Sequence, residues 1–219
     1  MTTEETTKAR TLLNAVERML DEPERMERLV RRYRDETGGE PARVGQRVIS
    51  HYSNHSALAG GVGGLAGLIP GAGTVIAIVG TTLAEMAIVL KLEVEMCLAL
   101  ACAHGHDIRD PRERQLALLL AAVHTREIAT GRDALVDLGD IALTATVNYT
   151  PRELEKLTVK ILGFSGVLYA LRNLPRAAAH ALPIIGIGIS AGFNKVLTAR
   201  VGKRAASWYA SRADAGCSR

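Results

Sequence analysis

The stretch VISHYSNHSALAGGVGGLAGLIPGAGTVIAIVGTTLA, residues 48–84, decides how the rest of this chain is interpreted. It holds no Asp, Glu, Lys or Arg, and glycines are concentrated in its middle. A helix on the surface of a soluble bundle needs a polar face toward water, and this stretch offers none. The PGAG sequence at residues 70–73 breaks the run. We therefore predict two apolar helices that form a glycine-rich hairpin.

The glycine spacing in this hairpin favours close helix packing. Three overlapping GxxxG pairs run from Gly60 to Gly71, and such pairs let a neighbouring helix approach the backbone. Each Gly weakens an isolated helix by about 1 kcal/mol relative to Ala, so the segment needs a packing partner. A second uncharged stretch, residues 177–194, echoes the first around Pro183. The predicted packing groove consists of Gly60, Gly63, Gly64, Gly67, Gly71, Gly186 and Gly188.

Composition limits the class of protein. The 219 residues are 47% hydrophobic but only 4% aromatic, with a net charge of +4. The three cysteines, Cys97, Cys102 and Cys217, are odd in number and form no CxxC, which indicates a reducing compartment rather than a disulfide framework. The charged N-terminus has no apolar core after a basic start, so no secretory signal is expected. We expect the cytoplasmic side of a membrane, with peripheral or integral attachment.

Helical periodicity predicts an all-α fold. Charged amphipathic helices are expected over residues 6–20 and 23–34, followed by a loop at 35–41. This loop is the predicted boundary between a charged N-terminal helical appendage, residues 1–40, and a helical domain, residues 41–219. No run of residues combines the alternation and turn signals of a strand.

Local start and stop signals place the remaining helices. Helices are expected over residues 42–69 and from Thr74 to about residue 103, where Gly105 suits the left-handed position after a helix. Asp110-Pro111 and Thr150-Pro151, each followed by a Glu, predict two further helix starts, the second running to about residue 173.

The C-terminal segment is basic and amphipathic. A helix that combines Lys and Arg with a Trp-Tyr pair has the composition expected at a membrane surface. Nucleic acid is a less favoured partner, because no wider pattern of aromatic residues accompanies the charges. The predicted membrane-surface residues are Lys195, Arg200, Lys203, Arg204, Trp208 and Tyr209.

Metal and nucleotide sites are weighed and not adopted. Glycine patterns at Gly61 and Gly186 loosely match a dinucleotide fingerprint, but no strand precedes them. His51 and His55 are expected to share a helix face, yet HYSNH lacks the Glu of a zincin motif. The other possible ligands are best explained as part of a polar capping turn or a nearby helix: His104, His106, Asp107 and His124. No cofactor, metal ligand or catalytic residue is predicted.

The charges of the long central helix have two interpretations. Glu85, Glu93 and Glu95 follow an apolar run, and a carboxylate inside hydrocarbon would be costly and functionally suggestive. The favoured interpretation is an ordinary polar face, with Lys91 and Glu95 four residues apart and able to pair.

Three motifs together carry a family resemblance. They are GLAGLIPGAGTVIAIV at residues 64–79, LALACAHGHDIRDPRERQLALLLA at 98–121 and LPIIGIGISAGFNKVLTARVGKRAA at 182–206. Over roughly residues 42–212 the chain resembles the EcsC family of bacterial helical proteins. The resemblance implies a helical, membrane-associated protein. The family offers no established reaction, so no catalytic residue is transferred to this chain.

Three function hypotheses follow from these patterns. The first is a non-enzymatic, membrane-associated protein that binds lipid or membrane-protein partners through the hairpin and the basic C-terminal helix. The second is a soluble helical bundle that binds an apolar ligand or assembles as a homo-oligomer. The third is an enzyme, which ranks last because no nucleophile–base pair or metal set is readable.

Overall fold

A computed structural model describes the backbone of residues 3–61, 81–130, 149–163 and 183–217, and the side chains of most of them. All regular structure in these ranges is helical, so the predicted all-α class is confirmed. The described helices are α1 (Thr3–Met19), α2 (Pro23–Thr37), α3 (Pro41–Gly61), α4 (Thr81–Ala103), α5 (Pro111–Thr130), α6 (Pro151–Leu162) and α7 (Pro183–Cys217).

Most described helix starts and ends lie near the positions that local signals predict, but α6 ends at Leu162, before Gly163, rather than near residue 173. Pro23, Pro111 and Pro151 each occupy a first helical position, where the missing N–H has no intrahelical partner to lose. Gly38 ends α2 with φ 74° and Gly105 follows α4 with φ 86°, both in the left-handed region. The α2–α3 turn is shorter than predicted.

The connection between α2 and α3 is shorter because side-chain interactions stabilise the C-terminal end of α2. Arg32 donates to the Glu36 carboxylate at 2.8 Å, and the Thr37 hydroxyl donates to the Tyr33 carbonyl oxygen at 2.7 Å. Both interactions are four residues apart and stabilise one further helical turn, so α2 continues to Thr37 rather than ending near Arg34.

The helix α4 lies at the centre of the bundle. It contacts α1, α2, α3, α5 and α7, and every residue from 90 to 101 is buried. A helix that is apolar on nearly all sides is stable only when other elements surround it. The described part of α4 therefore organises the core.

The N-terminal helices share that core. Leu12 and Val16 of α1 and Met26 of α2 belong to the same hydrophobic cluster as Met96 of α4. The predicted boundary at residue 40 therefore lies in a turn between helices whose side chains meet in one core.

The helices α3 and α7 run antiparallel. The Thr198 hydroxyl donates to Ser56 Oγ at 2.8 Å, and Gly202 packs against Ile49. A Cβ added at Gly202 would lie 2.7 Å from Ile49 Cγ1 and 2.8 Å from Met96 Sδ. Small-residue packing thus occurs at Gly202, a position outside the predicted glycine groove.

This register brings three helix termini to one end of the bundle. Gly45 of α3 faces Leu100 of α4, while Ile49 and Met96 meet near Gly202, so α3 and α4 are also antiparallel. The end of α3 and the beginnings of α4 and α7 therefore lie at the same end. At a rise of about 1.5 Å per residue, Gly61 lies opposite about residues 190–193 of α7.

The centre of the predicted hairpin falls outside the described residues. The PGAG break, Gly63, Gly64, Gly67 and Gly71 all lie within residues 62–80. Gly60 lies in α3, and Gly186 and Gly188 lie in α7. The predicted groove stays a prediction.

Candidate functional site

An acid-free part of the molecule consists of α3 and of α7 as far as Arg212, since Asp214 lies in the last turn of α7. Neither residues 41–61 nor residues 183–212 include an Asp or Glu, whereas the chain as a whole has 23. The net positive charge of these two segments exceeds the net charge of +4 of the whole chain, so the remainder of the chain carries a net negative charge. Their basic residues are Arg43, Arg47, Lys195, Arg200, Lys203, Arg204 and Arg212.

Four of these side chains form what we call the basic face: Lys195, Arg200, Lys203 and Arg204. All four are exposed on α7. Arg43 pairs with Glu40, and Arg212 pairs with Glu113. At about 100° per residue, these four positions are spread over the half of α7 that faces away from its buried side.

Tyr209 does not belong to the surface. Its side chain is fully buried, and Trp208 is only partly exposed. Val201, Ala205 and Tyr209 recur every four residues and form the face of α7 that packs into the core. The prediction of a membrane-surface role for Tyr209 is corrected accordingly.

One large apolar side chain is exposed on each of α3 and α7. Leu58 of α3 is 61% exposed and Val196 of α7 is 52% exposed. Continuing the register of the Thr198–Ser56 hydrogen bond places them at the same level of the helix pair. We call these two residues the apolar tip. They lie toward the end of the bundle at which α3 ends and α4 and α7 begin.

Three charges of α4 are buried, which corrects their interpretation as an ordinary polar face; the side chain of Glu85 lies outside the described residues. Lys91, Glu93 and Glu95 are at most 5% exposed. The predicted i,i+4 pair is present: Lys91 Nζ lies 2.9 Å from Glu95 Oε2. Lys91 Nζ also lies 3.6 Å from Asp21 Oδ2, in the turn between α1 and α2.

The α1–α2 turn covers Lys91 and Glu95. The backbone N–H of Asp21 donates to Glu95 Oε1 at 2.7 Å. Burial raises the pKa of Glu95, while Lys91 and this N–H act in the opposite direction. A buried charge needs such partners, because desolvation without them costs several kcal/mol. The arrangement attaches the N-terminal helices to α4, and Asp21 gave no sign of this role in the sequence.

A second polar cluster ties α7 to α5. The Arg212 guanidinium donates to both carboxylate oxygens of Glu113, at 3.0 and 2.5 Å. His106, from the α4–α5 turn, has its Nδ1 4.0 Å from Glu113 and its ring 5.5 Å from that of Tyr209. Burial lowers the pKa of His106, and the Glu113 carboxylate opposes that shift. These contacts join α5, α7 and the α4–α5 turn, so the cluster has a structural role.

The His51–His55 pair lies one turn before the apolar tip. The two rings are 4.3 Å apart between centroids, as expected for positions i and i+4. Tyr33 Oη of α2 lies 3.1 Å from His51 Nδ1. Burial, followed by the nearby His55, lowers the pKa of His51 to about 4. His51 is therefore neutral at pH 7.

Across the described residues, no group of three or more His, Cys, Asp and Glu side chains is arranged to hold a metal ion. None of the described helices is both long enough and apolar enough to cross a membrane. No family model, characterised protein or solved structure matches the chain.

Proposed function

We propose that this chain is a non-enzymatic helical protein that binds the surface of anionic membranes through the basic face of α7 and the apolar tip. The supporting observation is that exposed basic residues, with no acidic residue among them, and the exposed apolar side chains of Leu58 and Val196 occur on the same pair of helices. Both features lie on the two helices that continue into the uncharged segments.

The expected energies are sufficient for reversible attachment. Each Lys or Arg near an anionic bilayer contributes about 1 kcal/mol. Fully burying a Leu or Val side chain contributes about 1.5–3 kcal/mol. The four charges and two apolar side chains act together, and interfacial helices bind by this combination of attractions.

The proposal extends to the uncharged segments. Residues 48–84 are proposed to form a helical hairpin that packs against its counterpart, residues 177–194. Both elements are proposed to contact acyl chains or a membrane protein. Membership of the EcsC family and a position on the cytoplasmic side of the membrane belong to the same proposal. The three sequence motifs support the family, and the charge asymmetry supports the membrane.

A homo-oligomer through the same face is less favoured. Two copies that met there would bring Lys195, Arg200 and Lys203 close to identical charges. Like charges at an interface repel and raise the energy of the complex. An anionic lipid surface complements the same residues.

Flotation with vesicles tests the proposal. We expect the chain to float with vesicles of phosphatidylglycerol and phosphatidylcholine but not with phosphatidylcholine alone. Binding should weaken as salt rises, because the attraction is electrostatic. The double variant Lys195→Glu/Lys203→Glu should lose most of the binding.

A matched control reverses two charges elsewhere. Lys156 and Lys160 are exposed on α6, outside the acid-free parts of α3 and α7. The variant Lys156→Glu/Lys160→Glu has the same net charge as the α7 variant and should still float. Equal loss in both variants, or no flotation of the wild-type chain, would refute the surface.

Fractionation of cells with an alkaline carbonate wash separates the alternatives. Peripheral attachment predicts that the chain sediments with membranes and is released by carbonate. Resistance to carbonate would favour integral insertion of the uncharged segments. Recovery in the soluble fraction without detergent would favour the soluble bundle.

A further inference from the structure

Both histidines of the His51–His55 pair have Nδ1 engaged by an oxygen atom. His55 Nδ1 lies 2.8 Å from the carbonyl oxygen of His51. A carbonyl oxygen only accepts hydrogen bonds, so His55 Nδ1 must be the protonated nitrogen. The neutral ring of His55 therefore carries its lone pair on Nε2.

His51 can adopt the same tautomer. Its Nδ1 lies 3.1 Å from Tyr33 Oη, and a phenol oxygen accepts as well as donates. When His51 Nδ1–H donates to Tyr33, Nε2 of His51 also carries a lone pair. Metal-binding histidines show this pattern, with one nitrogen on the metal and the other donating to an oxygen.

We propose that His51 and His55 form a two-histidine site for a divalent transition-metal ion. Positions i and i+4 of one helix face the same way, and the 4.3 Å separation of the ring centroids allows both rings to approach one ion. His55 is exposed, so the ion has access. Tyr33 is a positioning residue that orients His51.

The ligand chemistry selects the class of ion. Imidazole nitrogens suit Zn²⁺, Ni²⁺ and Cu²⁺, whereas Mg²⁺ and Ca²⁺ prefer oxygen ligands. Arg25 and Arg32 of α2 act electrostatically on His51 and oppose the approach of a cation. The described residues provide no larger ligand group, so water completes the coordination. The site does not depend on membrane binding.

Isothermal titration of the purified full chain with ZnCl₂ or NiCl₂, after removal of metal with EDTA, tests the site. One saturable event per chain is expected. In His55→Ala that event should disappear at concentrations that saturate the wild-type chain. In the control Asn54→Ala, a change at an exposed neighbour on the same helix, it should persist.

Two further measurements connect the binding to this geometry. Side-chain nitrogen NMR should show the metal shifting Nε2 of His51 and His55. Tyr33→Phe should weaken binding by about tenfold, since loss of a partner to a ligating histidine has effects of 10–100-fold. The proposal is overturned if no saturable binding occurs, if binding survives His55→Ala, or if the metal shifts other histidines instead.

Discussion

Gly202 determines how closely three helices approach one another. A side chain there would meet Ile49 of α3 and Met96 of α4 at less than 3 Å. Gly202→Ala should lower the free energy of unfolding by about 1–3 kcal/mol, because overpacking forces neighbouring side chains aside. Urea denaturation measures the change.

The matched control is Gly192→Ala, on the same helix. A Cβ there meets nothing within 4 Å. Alanine is the better helix former by about 1 kcal/mol, so this variant should be as stable as the wild-type chain or more stable. Equal effects of the two substitutions on stability would contradict the close contact of Gly202 with Ile49 and Met96.

His51 gives the fold a pH dependence. Its pKa is about 4 in the folded state, below the ordinary value of 6.5, chiefly because of burial. A histidine with a depressed folded pKa favours unfolding once the unfolded chain takes up a proton. Its contribution to stability is therefore fully present above pH 6.5 and is lost as the pH falls toward 4.

The substitution His51→Gln isolates this contribution. Between pH 7 and 4 the urea midpoint of the variant should fall less steeply than that of the wild-type chain. His55→Gln is the control and should keep most of the wild-type slope, because His55 is the smaller cause of the shift. Parallel curves for wild type and His51→Gln would contradict the burial of the ring.

Side-chain burial is where prediction from the sequence is weakest. The four-residue spacing correctly predicts the Lys91–Glu95 pair, because helical geometry is local. Its burial depends on Asp21, which is distant in sequence and covers the pair in three dimensions. Tyr209 is similar: composition favours an interface, and only the packing of α7 shows which way the ring points.

At the scale of elements, the Arg212–Glu113 pair holds α7 against α5. Glu113 is 4% exposed, so removing its partner leaves a buried carboxylate without its two guanidinium hydrogen bonds. Arg212→Ala should lower stability by about 1.5–3 kcal/mol, the range for hydrogen bonds to charged groups. Amide hydrogens near residues 205–212 should also exchange faster.

Arg200→Ala is the control for this prediction. Arg200 is exposed on the same helix, and its removal should change neither the urea midpoint nor the exchange rates by much. Surface substitutions away from buried features usually change stability by less than about 0.5 kcal/mol. Equal effects of the two substitutions would show that the buried pair does not hold α7.

Helix boundaries could be predicted well because their signals are local. Pro111, Pro151 and Gly105 act on the backbone beside them, and each lies where a helix begins or has just ended. The antiparallel register of α3 and α7 could not be predicted. It depends on contacts such as Thr198–Ser56, which join residues far apart in sequence.

At the scale of the molecule, the N-terminal helices are expected to be required for folding. Without residues 1–40, Lys91 and Glu95 would lose Asp21, and Met96 would lose part of its apolar surroundings. The truncated chain should aggregate or lose cooperative unfolding. Calorimetry of both chains checks this, and an unchanged transition would show residues 1–40 to be dispensable to the core.

The membrane account rests on charge and exposure across the whole molecule. Its candidate surface could be partly predicted, since the exposed Lys195, Arg200, Lys203 and Arg204 were identified from composition and spacing. The contribution of α3 could not be predicted, because only the register of the two helices puts Leu58 at the same level as Val196.

The most direct test places a fluorescent reporter at the apolar tip. Trp208 is the single tryptophan, so Leu58→Trp in a Trp208→Phe background reports on one position. Anionic vesicles with brominated acyl chains should quench Trp at position 58, whereas the control Lys156→Trp in the same background should stay bright. Equal brightness of both reporters with and without vesicles would contradict membrane contact through the apolar tip.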